Sequence, residues 1–346
     1  MQVCRIHEHG GPEVLRVEDA ARPEPGPGEV LVRVLAVSIN HLDLWVRRGM
    51  PGVKVPFPRV LGCDGTGEIA GLGPGVEGVE GLTVGQRVVI EPGMSSGLSP
   101  FDLAGEDHLS DDYGIRGEHC DGLYSEYVVI EARYALPLPA GLDPVTAAAA
   151  PLVFLTAWGL LDRAAVQAGE TVLVLGGASG VGTAAIQIAK SRGARVLSTG
   201  GTAAKRQLAL DLGAEAVCDQ RDPEWGREVK RLTDGRGVDV VVEHIGPATW
   251  DTSMRVLARR GRLVTCGGTT GPKVSIVLPA LFIKNLSVLG STMGPRAALP
   301  EIFERLAAGD WRTVVDEVLP LSQAVRGHER LEASDVVGKI VLEPGQ

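Results

Sequence analysis

Residues 171–190, TVLVLGGASGVGTAAIQIAK, place a glycine-dense turn between two periodic segments. The first five residues have the apolar pattern of a buried parallel strand, and Ala185, Ile188 and Ala189 recur at helical spacing. The turn matches G-x-G-x-x-G imperfectly, because Ser179 stands at the middle glycine. Since glycines let the backbone approach phosphates and a helix N-terminus directs free N–H groups at an anion, this order predicts a dinucleotide pyrophosphate site. A plain strand–turn–helix is the alternative.

Composition limits the remaining possibilities. A length of 346 residues suits about two domains, and 46 glycines with 4% aromatic residues fit a turn-rich α/β protein. The net charge of −9 argues against nucleic-acid or acidic-membrane partners. We find no apolar run of the roughly 18 residues that span a bilayer, and no apolar core of a signal peptide. Five scattered cysteines without a CxxC pair favour a reducing, cytoplasmic location.

The periodicity of the chain changes near residue 143. The preceding residues are rich in Gly, Pro and β-branched residues and read as mostly β, whereas strands and helices alternate from residue 153 onward. This alternation predicts a parallel, doubly wound sheet, so the fold class is α/β. The strands are predicted at 29–37, 86–90, 124–130, 171–175, 195–199, 238–243, 262–266 and 339–342, and the later helices at 153–165, 205–212 and 299–308.

Short motifs along nearly the whole chain resemble those of medium-chain dehydrogenases/reductases. The resemblance implies a Rossmann cofactor domain at 153–290 and a GroES-like, mostly β catalytic domain at 1–152 and 291–346, with the active site in the cleft between them. The motifs are GGPEVL at 10–15, NHLD at 40–43, LGCDGTG at 61–67, LTAW at 155–158, the glycine turn, GVDVVVE at 237–243, GRLV at 261–264 and GKIVL at 338–342.

The positions that resemble the catalytic zinc ligands of alcohol dehydrogenases carry other residues. The first thiolate position is Asn40, the imidazole position is Cys63, and the third ligand position is Leu152. The proton-relay hydroxyl position is Leu42. Because Asn and Leu cannot replace soft zinc ligands, we expect zinc to be absent. A rearranged site that uses His41, Cys63 and Asp64 stays open.

The second, structural zinc of those enzymes is bound by four cysteines at a fixed spacing. In this chain the spacing survives but every thiolate is replaced, so we expect a metal-free loop. The four positions are occupied by Ser96, Ser99, Asp102 and Ser110.

The segment from Asn40 to Gly49 instead resembles the quinone oxidoreductase branch, whose pattern is N-x-x-D-x-x-x-R-x-G. This resemblance implies that Asn40 lies beside the nicotinamide and the substrate, and it makes Asn40, Asp43 and Arg47 the catalytic candidates. The alternative is that the segment begins a solvent-facing amphipathic helix that Asn40 caps. A catalytic role and a capping role for Asn40 are compatible.

The missing zinc ligands bear on the reaction. Hydride transfer to a simple ketone leaves an alkoxide, which needs a Lewis acid or a matched proton donor. In a quinone or an α,β-unsaturated carbonyl compound the charge spreads through conjugation, so a hydrogen-bond donor or water suffices. We therefore predict a zinc-independent NAD(P)H-dependent quinone or enone reductase. An alcohol dehydrogenase and a non-catalytic nucleotide-binding structural or regulatory protein are the alternatives.

Cofactor choice depends on the end of the second Rossmann strand, where NAD-specific members carry an acidic residue. Here that position is Gly200, and Thr202, Lys205 and Arg206 follow. Their donors and positive charge suit a 2′-phosphate, so we predict NADP(H) over NAD(H). A solvated first helical turn at Lys205 and Arg206 is the alternative.

Further cofactor contacts are expected at Thr156, which resembles a threonine near the nicotinamide, and at the ends of later strands. The resemblance also implies a homodimer, or a tetramer, that pairs through residues 286–290, with a small molecule as the substrate. The residues expected to hold the dinucleotide are Thr156, Gly177, Ser179, Gly180, Val181, Gly182, Gly200, Thr202, Lys205, Ile245, Cys266 and Gly267.

Overall fold

The computed structural model describes residues 1–50, 52–76 and 82–345. They form two compact units: Met1–Leu152 with Arg296–Gln346, and Val153–Pro295. Within the described ranges, no helix has the length and apolar character needed to cross a membrane. The predicted α/β class, with a mostly β unit and a doubly wound parallel sheet, is confirmed.

The strands among the described residues are β1 Gln2–Ile6, β2 Arg16–Asp19, β3 Glu29–Ser38, β4 Arg59–Val60, β5 Gly65–Leu72, β6 Arg87–Ile90, β7 Gly93–Met94, β8 Gly114–Ile115, β9 Tyr127–Glu131, β10 Ala135–Pro137, β11 Thr171–Val174, β12 Arg195–Gly200, β13 Ala216–Asp219, β14 Val238–Glu243, β15 Leu257–Thr265, β16 Ser287–Gly290, β17 Val315–Pro320 and β18 Lys339–Glu343. The α-helices in the same ranges are α1 His41–Arg48, α2 Pro100–Leu103, α3 Pro144–Ala148, α4 Pro151–Arg163, α5 Gly180–Ser191, α6 Ala203–Asp211, α7 Trp225–Leu232, α8 Pro247–Val256, α9 Leu278–Ile283, α10 Leu299–Ala308 and α11 Ala324–Glu332.

The first unit is organised around a seven-stranded sheet with the order β10-β6-β5-β3-β18-β17, in which β9 also pairs with β3. Strand β18 comes from the far end of the chain and runs antiparallel to β3, with Val341 opposite Ser38. This pairing brings Lys339, the first residue of β18, beside Asn40, which follows β3. The sheet therefore joins residues about 300 positions apart at the site described below.

The second unit contains a six-stranded parallel sheet with the order β13-β12-β11-β14-β15-β16. Its central strands β11 and β14 are buried along their whole length, as expected for strands covered on both faces. The strand order reverses between β11 and β14, and ligands of such sheets bind at the carboxyl ends of the strands at this switch point. The glycine turn that follows β11 lies there.

Several predicted element bounds are corrected by local pairing. The strand predicted at 124–130 begins at Tyr127, because the Tyr124 amide donates to Leu61 O at 2.9 Å in a different pairing. The strand predicted at 262–266 begins earlier, at Leu257. The helix predicted at 205–212 begins at Ala203, because the Thr202 side chain caps it.

Candidate functional site

The turn between β11 and α5 requires its glycines. Gly176 has a φ of +55°, in the left-handed region that favours glycine. A Cβ on Gly177 would overlap the hydroxyl of Ser198, and a Cβ on Gly182 would overlap the carbonyl oxygen of Gly176. Only glycine at these positions lets the chain turn tightly from the strand into the helix.

The helix that follows this turn presents free backbone donors. Ser179 caps α5, because its Oγ accepts from the Gly182 amide at 3.0 Å. Within the described part of the chain, the amides of Gly180 and Val181 have no protein acceptor. Unpaired amides at a helix N-terminus suit an anion, so the turn can hold the pyrophosphate of a dinucleotide. The serine that weakened the motif match is the helix cap.

His244 lies over this turn and was missed in the sequence. It follows β14, and its Nε2 lies 3.1 Å from Ser179 Oγ. Burial lowers the pKa of His244 to about 4, so the imidazole is neutral at ordinary pH. The signal that could have identified it is its place directly after a strand that borders the switch point.

The end of β12 combines a missing carboxylate with basic groups. Gly200 ends the strand, and the Thr202 hydroxyl accepts from the Lys205 amide at 3.2 Å, so Lys205 lies in the first turn of α6. Arg206, predicted to help bind a 2′-phosphate, forms an ion pair with Asp219 at 2.7 Å. Its charge is therefore already balanced by a protein carboxylate.

A second basic group near this strand end was not predicted. A side-chain carbon on Gly201 would meet Nε of Arg221 at 3.3 Å, so this guanidinium lies directly beside the loop after β12. Arg221 is exposed and follows β13, the next strand of the sheet. The Arg221 guanidinium therefore lies near the strand end where the sequence placed the 2′-phosphate.

The remaining predicted cofactor residues also lie in the second unit. The Thr156 hydroxyl, on α4, donates to Met293 Sδ at 3.6 Å. Ile245 follows His244, and its amide donates to Glu243 Oε1 at 2.7 Å. Cys266 and Gly267 follow β15 at the same carboxyl edge as the glycine turn, and burial raises the pKa of the Cys266 thiol to about 12. The sheet thus brings three separate strand ends to one edge.

A buried polar cluster surrounds Asn40 in the first unit. The Asn40 side chain, 3% exposed, donates from Nδ2 to Asp64 Oδ1 at 2.7 Å and to Cys63 Sγ at 3.3 Å. Its Oδ1 accepts from the ammonium of Lys339, which also donates to Ile39 O at 2.6 Å. Both amide hydrogens of Asn40 are therefore used inside the protein, and only acceptor capacity remains.

The donors of this cluster do not fit zinc. Asp64 Oδ1 accepts from Ser38 Oγ at 2.7 Å, and Oδ2 accepts from the Leu152 amide at 2.8 Å, so both oxygens are already bonded. Burial, and next the charge of Asp64, raise the pKa of Cys63 well above its usual value, which favours the thiol over the thiolate that zinc binds. The positively charged ammonium of Lys339 also contacts this cluster, through Asn40 Oδ1. His41, the third residue of the rearranged site, packs its ring against Trp45.

The other two predicted catalytic residues are buried in α1. Asp43 accepts hydrogen bonds from the backbone N–H of Asn40 at 2.7 Å, the backbone N–H of Gly62 at 2.9 Å and the Tyr124 hydroxyl at 3.2 Å. Burial raises the pKa of Asp43 to about 6. Arg47, fully buried, donates to Gly10 O at 3.2 Å and forms an ion pair with Glu332. The alternative of a solvent-facing helix is wrong, because α1 turns Asp43 and Arg47 inward, although Asn40 is its N-cap residue as expected.

Hydrogen bonds hold the loop that resembles the structural zinc lobe. Ser99 caps α2, with its Oγ accepting from the Asp102 amide at 3.1 Å. Ser110 donates to Asp112 at 2.5 Å, and Asp112 accepts from the Ser96 amide at 3.0 Å. Hydrogen bonds from Ser95 and Ser99 lower the pKa of Asp102 to about 2. Serine–aspartate contacts therefore occupy the place of the four thiolates.

Two protein families match the chain. The family described as zinc-binding dehydrogenase matches residues 180–308, and the alcohol dehydrogenase GroES-like domain matches residues 26–140. The quinone oxidoreductase of Pseudomonas aeruginosa is 34% identical over 97% of this chain and 97% of its own length. The similarity therefore covers both units.

Solved structures of the same size share the fold. An NAD-dependent alcohol dehydrogenase is 44% identical, with a TM-score of 0.94 over 99% of both chains. The quinone oxidoreductase of Escherichia coli complexed with NADPH is 30% identical, with a TM-score of 0.83 over 99% of this chain and 100% of that chain. The relatives thus include quinone oxidoreductases and an alcohol dehydrogenase, the two kinds of enzyme that the sequence left open.

Proposed function

Because the chain belongs to the medium-chain dehydrogenase/reductase superfamily, we propose that it is a zinc-independent, NADPH-dependent reductase of quinones or α,β-unsaturated carbonyl compounds. That it is an NAD(P)-dependent oxidoreductase follows from the relatives, which also removes the non-catalytic alternative. The finer assignment rests on the residues of the first unit.

The observation that carries the proposal is the hydrogen-bonded cluster of Asn40, Asp64 and Lys339. Asn40 stands at the position that resembles the first zinc-ligand position of alcohol dehydrogenases, and its side chain already bonds to Asp64 and Lys339. Without a Lewis acid, the alkoxide formed from a simple ketone lacks stabilisation. Hydride from the bound dinucleotide can instead add to a conjugated acceptor, whose charge spreads before a water completes protonation.

The roles of the three predicted catalytic residues follow from their contacts. Both side-chain amide hydrogens of Asn40 are donated to Cys63 and Asp64. Asn40 can therefore bind the nicotinamide or the substrate only as a hydrogen-bond acceptor, through Oδ1. Asp43 and Arg47 bond only to groups of the first unit among the described residues, so we assign them positioning roles. We also propose that Gly177 to Gly182 hold the pyrophosphate.

The 44% identical alcohol dehydrogenase supports the second candidate, alcohol oxidation or ketone reduction. One experiment separates the two. We expect purified protein to contain substoichiometric zinc by plasma emission spectrometry, and to consume NADPH at least about tenfold faster with a quinone or an enone than with a saturated ketone, because only the conjugated acceptors spread the charge. Chelator treatment should leave these rates unchanged.

The matched control is Asn40→Cys, which restores one thiolate. It should not create alcohol oxidation, because Leu152 still leaves the ligand set incomplete. Stoichiometric zinc that survives chelation, or alcohol oxidation by this variant, would favour the alcohol dehydrogenase.

We propose NADPH as the preferred cofactor, because Gly200 removes a repelling carboxylate and Lys205 and Arg221 supply positive charge beside it. Lys205→Ala should reduce the preference for NADPH over NADH by about tenfold, which corresponds to about 1.4 kcal/mol. Fluorescence titration with both dinucleotides measures it. Arg227→Ala, which removes an exposed arginine of α7, should change neither affinity. Tighter binding of NADH in the unaltered protein would contradict the preference.

We further propose a homodimer that pairs through β16, the outer strand of the parallel sheet. In α9, the helix that precedes this strand in the chain, Leu278, Phe282 and Ile283 are more than half exposed, so a dimer contact that included α9 would bury apolar side chains. Sedimentation velocity decides between this dimer, a tetramer and a single chain.

A further inference from the structure

A buried hydrogen-bond network connects the C-terminal helix α11 to the Asn40 cluster. His328 of α11 is fully buried between Arg47 and Tyr124. Its Nδ1 lies 2.9 Å from Arg47 Nη1, and its Nε2 lies 3.1 Å from the Tyr124 hydroxyl. The same hydroxyl lies 3.2 Å from Asp43 Oδ2. Four side chains from three separate segments of the chain thus form one continuous path.

The direction of each hydrogen bond follows from the chemistry of its partners. A guanidinium only donates, so Nδ1 of His328 accepts from Arg47. Burial, and next the charge of Arg47, lower the pKa of His328 to about 3, so the ring is neutral and carries its one hydrogen on Nε2. Nε2–H then donates to the Tyr124 oxygen. The Tyr124 hydroxyl must donate onward to Asp43, because its own oxygen already accepts from His328.

Asp43 joins this path to the two segments that build the cluster. Its Oδ2 accepts from the backbone N–H of Asn40, and its Oδ1 accepts from the backbone N–H of Gly62. Gly62 immediately precedes Cys63 and Asp64, whose side chains contact Asn40. The carboxylate therefore fixes both the start of α1 and the loop opposite it.

We propose that Tyr124 and His328 are positioning residues that orient Asn40 through Asp43. The proposal rests on the proposed role of Asn40 beside the nicotinamide and substrate. It explains why the pattern that begins at Asn40 includes Asp43 and Arg47, although neither is placed against substrate: Arg47 sets the tautomer of His328, and Asp43 receives the last hydrogen bond.

The test removes one hydroxyl and compares it with a matched control. Tyr124→Phe deletes only the link between His328 and Asp43. Tyr134→Phe deletes another buried tyrosine hydroxyl of the same unit, one that bonds to the backbone of Ser95 at 2.7 Å. Both variants should lose similar stability, since each leaves buried partners unpaired. Only Tyr124→Phe should lower kcat for quinone or enone reduction, by about tenfold, with the affinity for NADPH changed less than about twofold.

Nuclear magnetic resonance of the protein without dinucleotide supplies a readout that does not depend on turnover. In the unaltered protein, the His328 hydrogen should reside on Nε2 and exchange slowly with water. In Tyr124→Phe, this exchange should quicken and the side-chain amide signals of Asn40 should shift, whereas Tyr134→Phe should leave both unchanged.

The outcomes separate this proposal from the proposed function. Failure to reduce any quinone or enone refutes the reaction but leaves the Asn40 signals as the deciding test of the network. Unchanged Asn40 signals in Tyr124→Phe, or turnover within about twofold of the unaltered protein at equal loss of stability, would show that the network is merely structural.

Discussion

Replacing Gly180 by valine is expected to abolish dinucleotide binding while the protein stays folded. Gly180 is the first residue of α5, and its amide and that of Val181 have no acceptor among the described residues. A branched side chain there would stand between the backbone and the pyrophosphate. The affinity for NADPH, measured by fluorescence titration, should fall at least about 100-fold, which corresponds to about 2.7 kcal/mol.

The variant at Gly182 is the contrasting control. A Cβ there would overlap the carbonyl oxygen of Gly176, so Gly182→Val should disturb the turn itself and lower the melting temperature. Gly180 is half-exposed, so Gly180→Val should melt close to the unaltered protein. Normal dinucleotide affinity in folded Gly180→Val would mean that residues 177–182 are not the phosphate site.

This turn was predictable because its signals are local. An apolar run, clustered glycines and helical spacing lie within twenty residues, and each reports the conformation of its own segment. Even the departure at Ser179 has a local reason, since a hydroxyl at that position caps the helix. The parallel sheet followed in the same way, from short apolar strands that alternate with helices.

The Asn40 cluster was not predictable from spacing, because its members come from distant parts of the chain. Lys339 lies 299 positions from Asn40, and only the pairing of β18 with β3 brings them together. The sequence predicted that Asn40 and Leu152 would not replace soft zinc ligands, but not that a buried ammonium and carboxylate contact the same side-chain amide. Which donors remain available for substrate could therefore be decided only from the structure.

The alternative interpretation of α1, as a solvent-facing helix, failed for a related reason. Charged residues in a short helix predict a solvated face unless a partner element covers them. Helix α11 provides that cover, and Arg47 contacts His328 across 281 positions of sequence. His244 and Arg221 were missed because each is a polar residue in a loop after a strand, and only their proximity to Ser179 and Gly201 distinguishes them.

Replacing Glu332 by glutamine is expected to destabilise the first unit more than replacing Arg47 itself. Arg47 is fully buried, so Glu332→Gln leaves its guanidinium without a countercharge inside the protein. Breaking such a pair typically costs about 3–5 kcal/mol, and we expect about 3 because Glu332 is 20% exposed. Arg47→Met removes the buried charge together with its hydrogen bonds, and should cost less. Unfolding in urea measures the free energy of unfolding of each variant.

The double variant Arg47→Met, Glu332→Gln decides how the ion pair acts. If the loss in Glu332→Gln comes from the stranded guanidinium, deleting that group should restore part of the stability, so the double variant should be more stable than Glu332→Gln alone. Glu224→Gln, which breaks an exposed pair with Arg227 on the other unit, should have little effect. If Glu332→Gln proved neutral while Arg47→Met abolished turnover, Arg47 would act on the reaction directly, and its assignment as a positioning residue would be wrong.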